Sequence, residues 1–245
     1  MNKGLFGIPP VAAPYTLRGY RSPVISGWSA GTTYTQKHFQ GGLPVVFQPF
    51  LICKAVTADG WRKGNVLYGC KPGNSAGSVG MGVGFDRDTV SLLTGTSAGG
   101  IRHVDSAGVY NIPSAANWDL GVTGLFANCS AGLLGMPGTS PPKFFKTGAK
   151  PNPTQVTTFL YREGGRPFYV EPFAECLTND GVFRQGDIVS LGHADTALNR
   201  IVAVAWDGIS LKLLWDTSVP VVQIGGGAVA TLDLTKWQVY LEGFA

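Results

Sequence analysis

A histidine, an acid and a hydroxyl lie close together at one point in the sequence. His103 precedes Asp105 by two residues and Ser106 by three, so a base, an orienting acid and a nucleophile are adjacent along the chain. A catalytic triad needs these groups to converge in space, and adjacency in sequence does not supply that geometry. The pattern therefore favours a surface or turn histidine at position 103.

The sequence likewise gives little support for a metal or phosphate site. His193 and Asp195 could be two ligands on one side of a strand, but a metal site requires three or four convergent donors. The glycine clusters at residues 95–100 and 225–227 are not followed by a Lys-Ser/Thr pair, as a phosphate-binding loop would be. We predict no catalytic residue, no metal and no cofactor.

Three glutamates are clustered closely enough to suggest the carboxylate pair of a glycoside hydrolase. They are Glu163, Glu171 and Glu175. The corresponding positions earlier in the chain are Gln40, Gln48 and Ile52, so the shared sequence plan requires no acid. Exposed strand positions are the favoured interpretation, and a hydrolase using Glu163 or Glu171 with Asp180 is the lesser alternative.

The elements that must position these side chains come in two copies, because residues 164–186 repeat the plan of residues 41–64. Aligning Gly41 with Gly164 also aligns the following pairs: Pro44 with Pro167, Pro49 with Pro172, Phe50 with Phe173, Cys53 with Cys176 and, further on, Trp118 with Trp237. Self-similarity of this kind indicates the architecture before any local pattern does. We predict two copies of one module.

Composition predicts the fold class. The 245 residues include 35 glycines and 16 prolines, 44% are hydrophobic and only 14% are charged, which is typical of many short strands joined by tight turns. The predicted fold is all-β, with two tandem duplicated small antiparallel β-barrel or sandwich modules. The predicted divisions are an extended N-terminal arm at 1–35, a first module at 36–125, a Gly/Pro-rich linker at 126–155 and a second module at 156–245.

Local patterns predict individual strands. Two apolar runs at residues 81–85 and 89–93 flank a polar turn and indicate a hairpin. The alignment places Ser210 over Ser91 in the corresponding hairpin of the second copy. Residues 228–242 are long enough for a helix, but their terminal alternation of apolar and polar residues favours a strand.

The four cysteines do not form a disulfide framework. Cys53 and Cys176 occupy equivalent positions, which favours a small buried site in each module rather than a bond between them. Cys70 and Cys129 have no such match. Reduced thiols suggest a protein made in a cytoplasm.

Charge and hydropathy argue against two classes of partner. The formal charge of +4 comes from scattered Lys and Arg, which is too sparse for a nucleic-acid footprint. No segment approaches the roughly 18 apolar residues that span a bilayer. We therefore expect neither nucleic acid nor a membrane as a partner.

Seven apolar and aromatic residues are the candidates for an interface. The N-terminal arm is richer in such residues than a free tail, so we expect it to pack on its own body or on a neighbouring subunit. Outside the arm, Trp118, Trp206 and Trp237 fit core positions, which leaves Trp61 and Trp215 for an interface or ligand. The candidates are Leu5, Phe6, Tyr15, Tyr20, Trp28, Trp61 and Trp215.

The repeated segments resemble a known class of protein. An Arg-x-Gly-Asn/Asp-hydrophobic start at residues 62–66 and 184–188, a Val-rich strand at 201–206 and a short hairpin into 209–214 resemble the small β-barrel virion proteins of tailed bacteriophages. The pattern is most similar to the head-decoration, or cement, proteins, in which a β-barrel and an extended arm clamp neighbouring capsid subunits.

The resemblance implies a non-enzymatic role in capsid decoration and stabilisation. Its expected partners are viral coat or other virion proteins, its expected state is a homo-oligomer, often a trimer in that family, and its expected location is the virion after assembly in the host cytoplasm. The alternative is a phage tail fibre, spike or carbohydrate-binding adhesin module in which Trp61 or Trp215 contacts glycans.

Overall fold

The computed structural model shows an all-β protein, as predicted. It describes residues 17–38, 40, 43–57, 60–68, 81–96, 103–127, 142–191, 202–215, 220–222 and 229–245. Within these ranges every strand pair is antiparallel and helical structure is limited to one 3₁₀ turn, Leu234–Lys236. Residues 228–242, where a helix was the alternative, contain this turn between two strands.

A seven-stranded sheet, here the central sheet, forms the middle layer. Strands are numbered in chain order. From edge to edge the central sheet contains β1 (Leu17–Arg21), β9 (Trp118–Ala127), β3 (Pro44–Cys53), β4 (Val66–Tyr68), β15 (Val202–Trp206), β16 (Ser210–Trp215) and β12 (Val156–Leu160).

Smaller sheets complete the fold. The C-terminal sheet contains β10 (Phe144–Lys146), β11 (Lys150–Pro151), β13 (Tyr169–Cys176), β14 (Ile188–Ser190) and β19 (Trp237–Phe244). The hairpin sheet contains β2 (Thr33–Lys37), β5 (Met81–Phe85) and β6 (Thr89–Thr94). Two-stranded pairs are formed by β7 (His103–Val104) with β8 (Tyr110–Asn111), and by β17 (Pro220–Val222) with β18 (Val229–Thr231).

The central sheet is buried on both faces. Val66, Tyr68 and Val204 belong to a core shared with the C-terminal sheet, whereas Leu67 and Ala205 belong to a core shared with the hairpin sheet. Successive side chains of a strand point to opposite faces, so a strand covered on both sides must be apolar at every position. This requirement explains the uninterrupted apolar runs of β4 and β15.

Contacts recur at equivalent positions of the two halves. Cys53 pairs with Trp118 across β3 and β9, and Cys176 pairs with Trp237 across β13 and β19. Both cysteines are buried, and each Sγ donates to a backbone oxygen two residues later, at 2.7 Å for Cys53 and 3.0 Å for Cys176. The prediction of two small buried thiol sites is confirmed.

The turn after each cysteine strand is also the same. The side chain of Asn65 accepts the Arg62 N–H at 2.8 Å, and the side chain of Asp187 accepts the Arg184 N–H at 2.8 Å. A glycine with φ of 90° stands directly before each of these acceptors, a conformation that other residues rarely adopt. These matches support the duplication, which stays a prediction.

The hairpin turns correct one detail of the alignment. Asp86 accepts from the N–H and hydroxyl of Thr89, and Asp207 accepts from the N–H and hydroxyl of Ser210. Ser210 therefore corresponds to Thr89 rather than to Ser91. The offset between the two copies therefore changes by two residues only after the hairpin, because the same turn contacts fix the alignment within the hairpin itself.

The two halves share strands across the predicted boundaries. In the central sheet β4 of the first half pairs with β15 of the second half. Residues 144–151 of the predicted linker contain β10 and β11, which pair with β19, and residues 128–141 lie outside the described ranges. From the predicted arm, β1 pairs with β9, so residues 17–35 pack on the body, while residues 1–16 lie outside the described ranges.

A glutamine side chain ties the central sheet to the C-terminal sheet. The Gln48 amide, 2% exposed, donates to the Val170 carbonyl at 2.9 Å and accepts the Val170 N–H at 3.2 Å. The Gln48 side chain thus makes the hydrogen bonds that a neighbouring strand would otherwise make to Val170 of β13. Buried backbone groups require such partners, so this contact is a specific link between the two layers.

Candidate functional site

His103 lies in the core rather than at the surface or in a turn. It is 0% exposed and its ring lies 5.2 Å from that of Trp118. The carboxylate of Asp105 accepts the N–H groups of Ala107 and Val109, both at 2.8 Å, and so caps the turn between β7 and β8. Asp105 is thus used by the local backbone, and these contacts do not assemble a triad.

His38 belongs to an aromatic cluster. It is 2% exposed, and its ring lies 5.2 Å from Phe126 and 5.7 Å from Phe85. Its Nδ1 accepts the Gln40 N–H at 3.2 Å, so Nε2 carries the proton and donates to the Asp86 carbonyl at 3.1 Å. Both ring nitrogens have hydrogen-bond partners, as expected of a histidine with a structural role. His193 lies outside the described residues.

Two of the three candidate glutamates, Glu171 and Glu175, have structural partners. Glu171 is 9% exposed and accepts the hydroxyl protons of Tyr169 at 3.0 Å and Ser190 at 2.5 Å. Glu175 accepts from the amide of Gln238 at 2.9 Å. Glu163 is exposed, as predicted, but it lies in the loop after β12. The predicted exposed position is wrong for Glu171, which is buried, and for Glu175, which is half-buried. Hydrogen-bonded carboxylates on a paired strand are what a structural role requires.

Asp180 holds the turn before β19. Its carboxylate accepts the Trp237 indole N–H at 2.9 Å, the Asp233 N–H at 3.0 Å and the Lys236 ammonium at 3.2 Å. Desolvation raises the pKa of Asp180, but these hydrogen bonds outweigh it, so its pKa lies below the ordinary value of 3.8.

We expect Asp180→Asn to lower the melting temperature at neutral pH, with the loss shrinking in acid. A carboxyl whose pKa is lowered by folding stabilises the protein above its unfolded pKa, and that contribution is lost as pH falls through the folded value. Melting curves of both proteins from pH about 7 to about 2.5 test this, since the wild-type carboxylate takes up its proton only as the pH falls below the ordinary aspartate value.

Asp88→Asn is the matched control for this change, because Asp88 is exposed. Its melting temperature should follow the wild type at every pH. A constant difference between Asp180→Asn and wild type across the pH range would contradict the assigned role of the Asp180 charge.

Four of the predicted interface residues are buried within the chain. Tyr20 is 8% exposed, Trp28 5%, Trp61 2% and Trp215 1%, and each belongs to one of the two cores. Their apolar surface is already covered by neighbouring side chains, so they do not offer a contact or a sugar-stacking platform. Leu5, Phe6 and Tyr15 lie outside the described residues.

Different apolar side chains lie at the surface, at the start of β3. Leu43 is 64% exposed, Val45 60% and Phe47 41%. We call these three residues the apolar rim. A β-bulge falls between Pro44 and Val46, and bulges commonly re-aim side chains at the edge of a sheet.

One residue of the apolar rim, Phe47, packs on the aromatic cluster. The Phe47 ring lies 5.1 Å from Phe85, and Phe85 contacts Phe126 and His38 of the aromatic cluster. The rim is therefore the exposed end of a cluster whose other rings are covered. Sequence reasoning missed it because the run Leu43-Pro44-Val45-Val46-Phe47 lacks the alternation that separates an exposed face from a buried one.

The described part of the chain contains no cluster of three metal-ligating side chains, and no helix there is long and apolar enough to cross a membrane. Comparison with known proteins gives no match, whether with a family model, a curated protein or a solved structure.

Proposed function

We propose that this protein is a non-enzymatic structural protein that attaches to other protein subunits through the apolar rim. The observation that carries the proposal is the exposure of three large apolar side chains within five residues, Leu43, Val45 and Phe47. Contiguous exposed apolar groups supported by a packed base are typical of protein contact sites, where a few anchors provide most of the binding energy.

Capsid decoration is the specific form of this function that we propose. The occupant of the rim is then a neighbouring coat subunit, and the protein itself works as a homo-oligomer, with a trimer as the expected state. The likeness of residues 62–66 and 184–188 to phage decoration proteins supports this form, as do the all-β body and the low content of charged residues.

The adhesin alternative loses the residues on which it depended. It required Trp61 or Trp215 at the surface to stack on a sugar ring, and both belong to the core. We therefore propose no second function.

The double variant Val45→Ser/Phe47→Ser should strongly weaken attachment while leaving the protein folded. The purified chain is mixed with empty phage shells that lack their decoration protein and sedimented, and bound copies per shell are counted. Wild-type protein should bind saturably at many copies per shell. Loss of the two apolar anchors should weaken binding at least tenfold, because one contact hot spot contributes about 2 kcal/mol or more.

Ile209→Ser is the matched control, since Ile209 is 77% exposed and lies at the tip of the β15–β16 hairpin, away from the rim. It should bind as wild type does. Circular dichroism and melting curves verify that both variants are folded. Saturable binding by the Val45/Phe47 variant at the wild-type level would count against the rim.

The contribution of the N-terminal arm is tested by removing residues 1–16. A longer deletion through residue 25 would remove β1 and the Ile25 bridge to Leu120, and so damage the central sheet. Reduced attachment by the folded 17–245 chain would show that residues 1–16 contribute to attachment.

A further inference from the structure

The loop between β12 and β13 brings an arginine against β3 of the central sheet. Gly164 and Gly165, just before Arg166, have φ of 68° and 71°, a pair of left-handed conformations that glycine adopts readily. Arg166 is half-buried, and its guanidinium carbon lies 4.4 Å from the centre of the Phe50 ring.

Three contacts hold this loop in place after the turn. The Arg166 carbonyl accepts from the Arg21 guanidinium, and the Pro167 carbonyl accepts the Tyr68 hydroxyl at 2.8 Å. The Phe168 N–H donates to Phe244 at 2.8 Å. These contacts are made by the backbone of residues 166–168 and hold Arg166 in position. The side-chain N–H donors of Arg166 take no part in them.

A second arginine stands beside the first. Arg21 ends β1, is half-buried, and lies with its guanidinium carbon 4.1 Å from the centre of the Phe168 ring. Its Nε is buried without a hydrogen-bond partner. In the part of the chain that the structure describes, neither Arg21 nor Arg166 has a carboxylate partner.

Two neighbouring guanidinium groups without a counter-charge are unfavourable. Desolvation and the charge of Arg166 lower the pKa of Arg21, and desolvation lowers the pKa of Arg166. Arginine nevertheless keeps its proton in proteins, so the repulsion is not relieved by titration. Partly buried charges normally have a partner of opposite sign, and here the protein supplies none from the described residues.

A tyrosine hydroxyl next to the arginines also lacks a partner. Tyr161 is 7% exposed and its hydroxyl is buried with no hydrogen bond. Burial, and then the charge of Glu163, raise the pKa of Tyr161 to about 12, while the charge of Arg21 lowers it. The hydroxyl therefore keeps its proton and is a donor.

We propose that Arg21 and Arg166, with the Tyr161 hydroxyl, form a binding site for one oxyanion. An oxyanion would neutralise both guanidinium groups and accept from their unused N–H donors, including Arg21 Nε. Guanidinium groups form paired hydrogen bonds with carboxylates and phosphates, and the Phe50 and Phe168 rings hold their planes in place. The proposal goes beyond the attachment function and does not depend on it.

The oxyanion has two chemical sources, a free tetrahedral anion such as phosphate or a carboxylate presented by another molecule. Both offer the negative oxygens that the site requires. Inorganic phosphate and acetate are therefore the two probes, each compared with sodium chloride at equal ionic strength, so that general screening is held constant.

The full chain is titrated with each probe, and the melting temperature and the ¹⁵N-detected Nε–H resonance of Arg21 are recorded. A ligand that binds only the folded state raises the melting temperature. We expect phosphate to do so and to shift the Arg21 resonance. A response to phosphate alone identifies a tetrahedral anion, and a response to acetate as well identifies a site that also accepts carboxylates.

Arg21→Gln and Arg166→Gln should each weaken phosphate binding about tenfold or more, since each removes a charge-assisted hydrogen-bonding partner. Tyr161→Phe should weaken it by a smaller factor. Arg18→Gln is the matched control, because Arg18 lies on the same strand and is exposed, and it should bind phosphate as wild type does.

The Arg21 resonance keeps the test decisive even where a glutamine variant fails to fold, because it is measured on the wild-type chain. Absence of any shift of that resonance with either probe would overturn the proposal. An equal phosphate response in wild type, Arg21→Gln and Arg166→Gln would overturn it as well.

Discussion

Produced separately, residues 1–127 and 142–245 should each fail to unfold cooperatively, whereas the mixture should regain a cooperative transition. The first fragment lacks β15, β16 and β12 of the central sheet, so the edge of β4 is unpaired. The second fragment loses the apolar surface of Phe50, Val66 and Tyr68 from the core beneath the C-terminal sheet. Thermal melts followed by circular dichroism check both fragments alone and mixed.

This experiment separates tandem modules from halves that share strands. Independent modules would each melt cooperatively alone and show no change on mixing, which would contradict the pairing of β4 with β15 as an element required for stability. The intact chain, cut only within residues 128–141 by insertion of a protease site, is the control, since it begins from the folded state.

The Gln48→Met change should lower the free energy of unfolding by about 2–6 kcal/mol, since it leaves two buried backbone groups without a partner and each costs about 1–3 kcal/mol. Methionine fills a similar volume but neither donates to the Val170 carbonyl nor accepts its N–H. Val170 is 0% exposed, so water does not replace the lost partner. Urea unfolding at equilibrium measures the change.

Two further variants test whether the loss of stability comes from the hydrogen bonds between Gln48 and Val170. Gln185→Met, at an exposed position, should change stability by less than about 0.5 kcal/mol. Gln48→Glu should be unstable at neutral pH and recover in acid, because only the protonated carboxyl can donate to the Val170 carbonyl; a buried glutamate has a raised folded-state pKa, so its stability is lost as pH rises. A pH-independent Gln48→Glu would contradict the paired contact.

Local features were predictable because their causes are local. The hairpin turns at Asp86 and Asp207 follow from side chains that accept N–H groups two or three residues later. The positions of Cys53 and Cys176 follow from the repeat, since the same turn and the same strand partner recur. Both kinds of signal require only a few neighbouring residues.

Which apolar residues are exposed could not be predicted from the sequence in the same way. Trp61 and Trp215 were interface candidates because the repeat gave them no core role, yet each is covered by strands distant in sequence. Val45 and Phe47 appeared to be ordinary strand residues, and they are exposed at the start of β3. Exposure depends on which layer covers a face, and composition does not contain that information.

The sequence by itself determined the all-β class, the hairpin turns at Asp86 and Asp207 and the two buried cysteines, because backbone preference and apolar periodicity act over a few residues. Only the tertiary structure decided that β4 pairs with β15, that Gln48 serves Val170, and that Arg21 meets Arg166 across 145 positions of the chain. Such contacts depend on which sheet edges and faces meet, and that is settled by burial of the whole chain rather than by any local pattern.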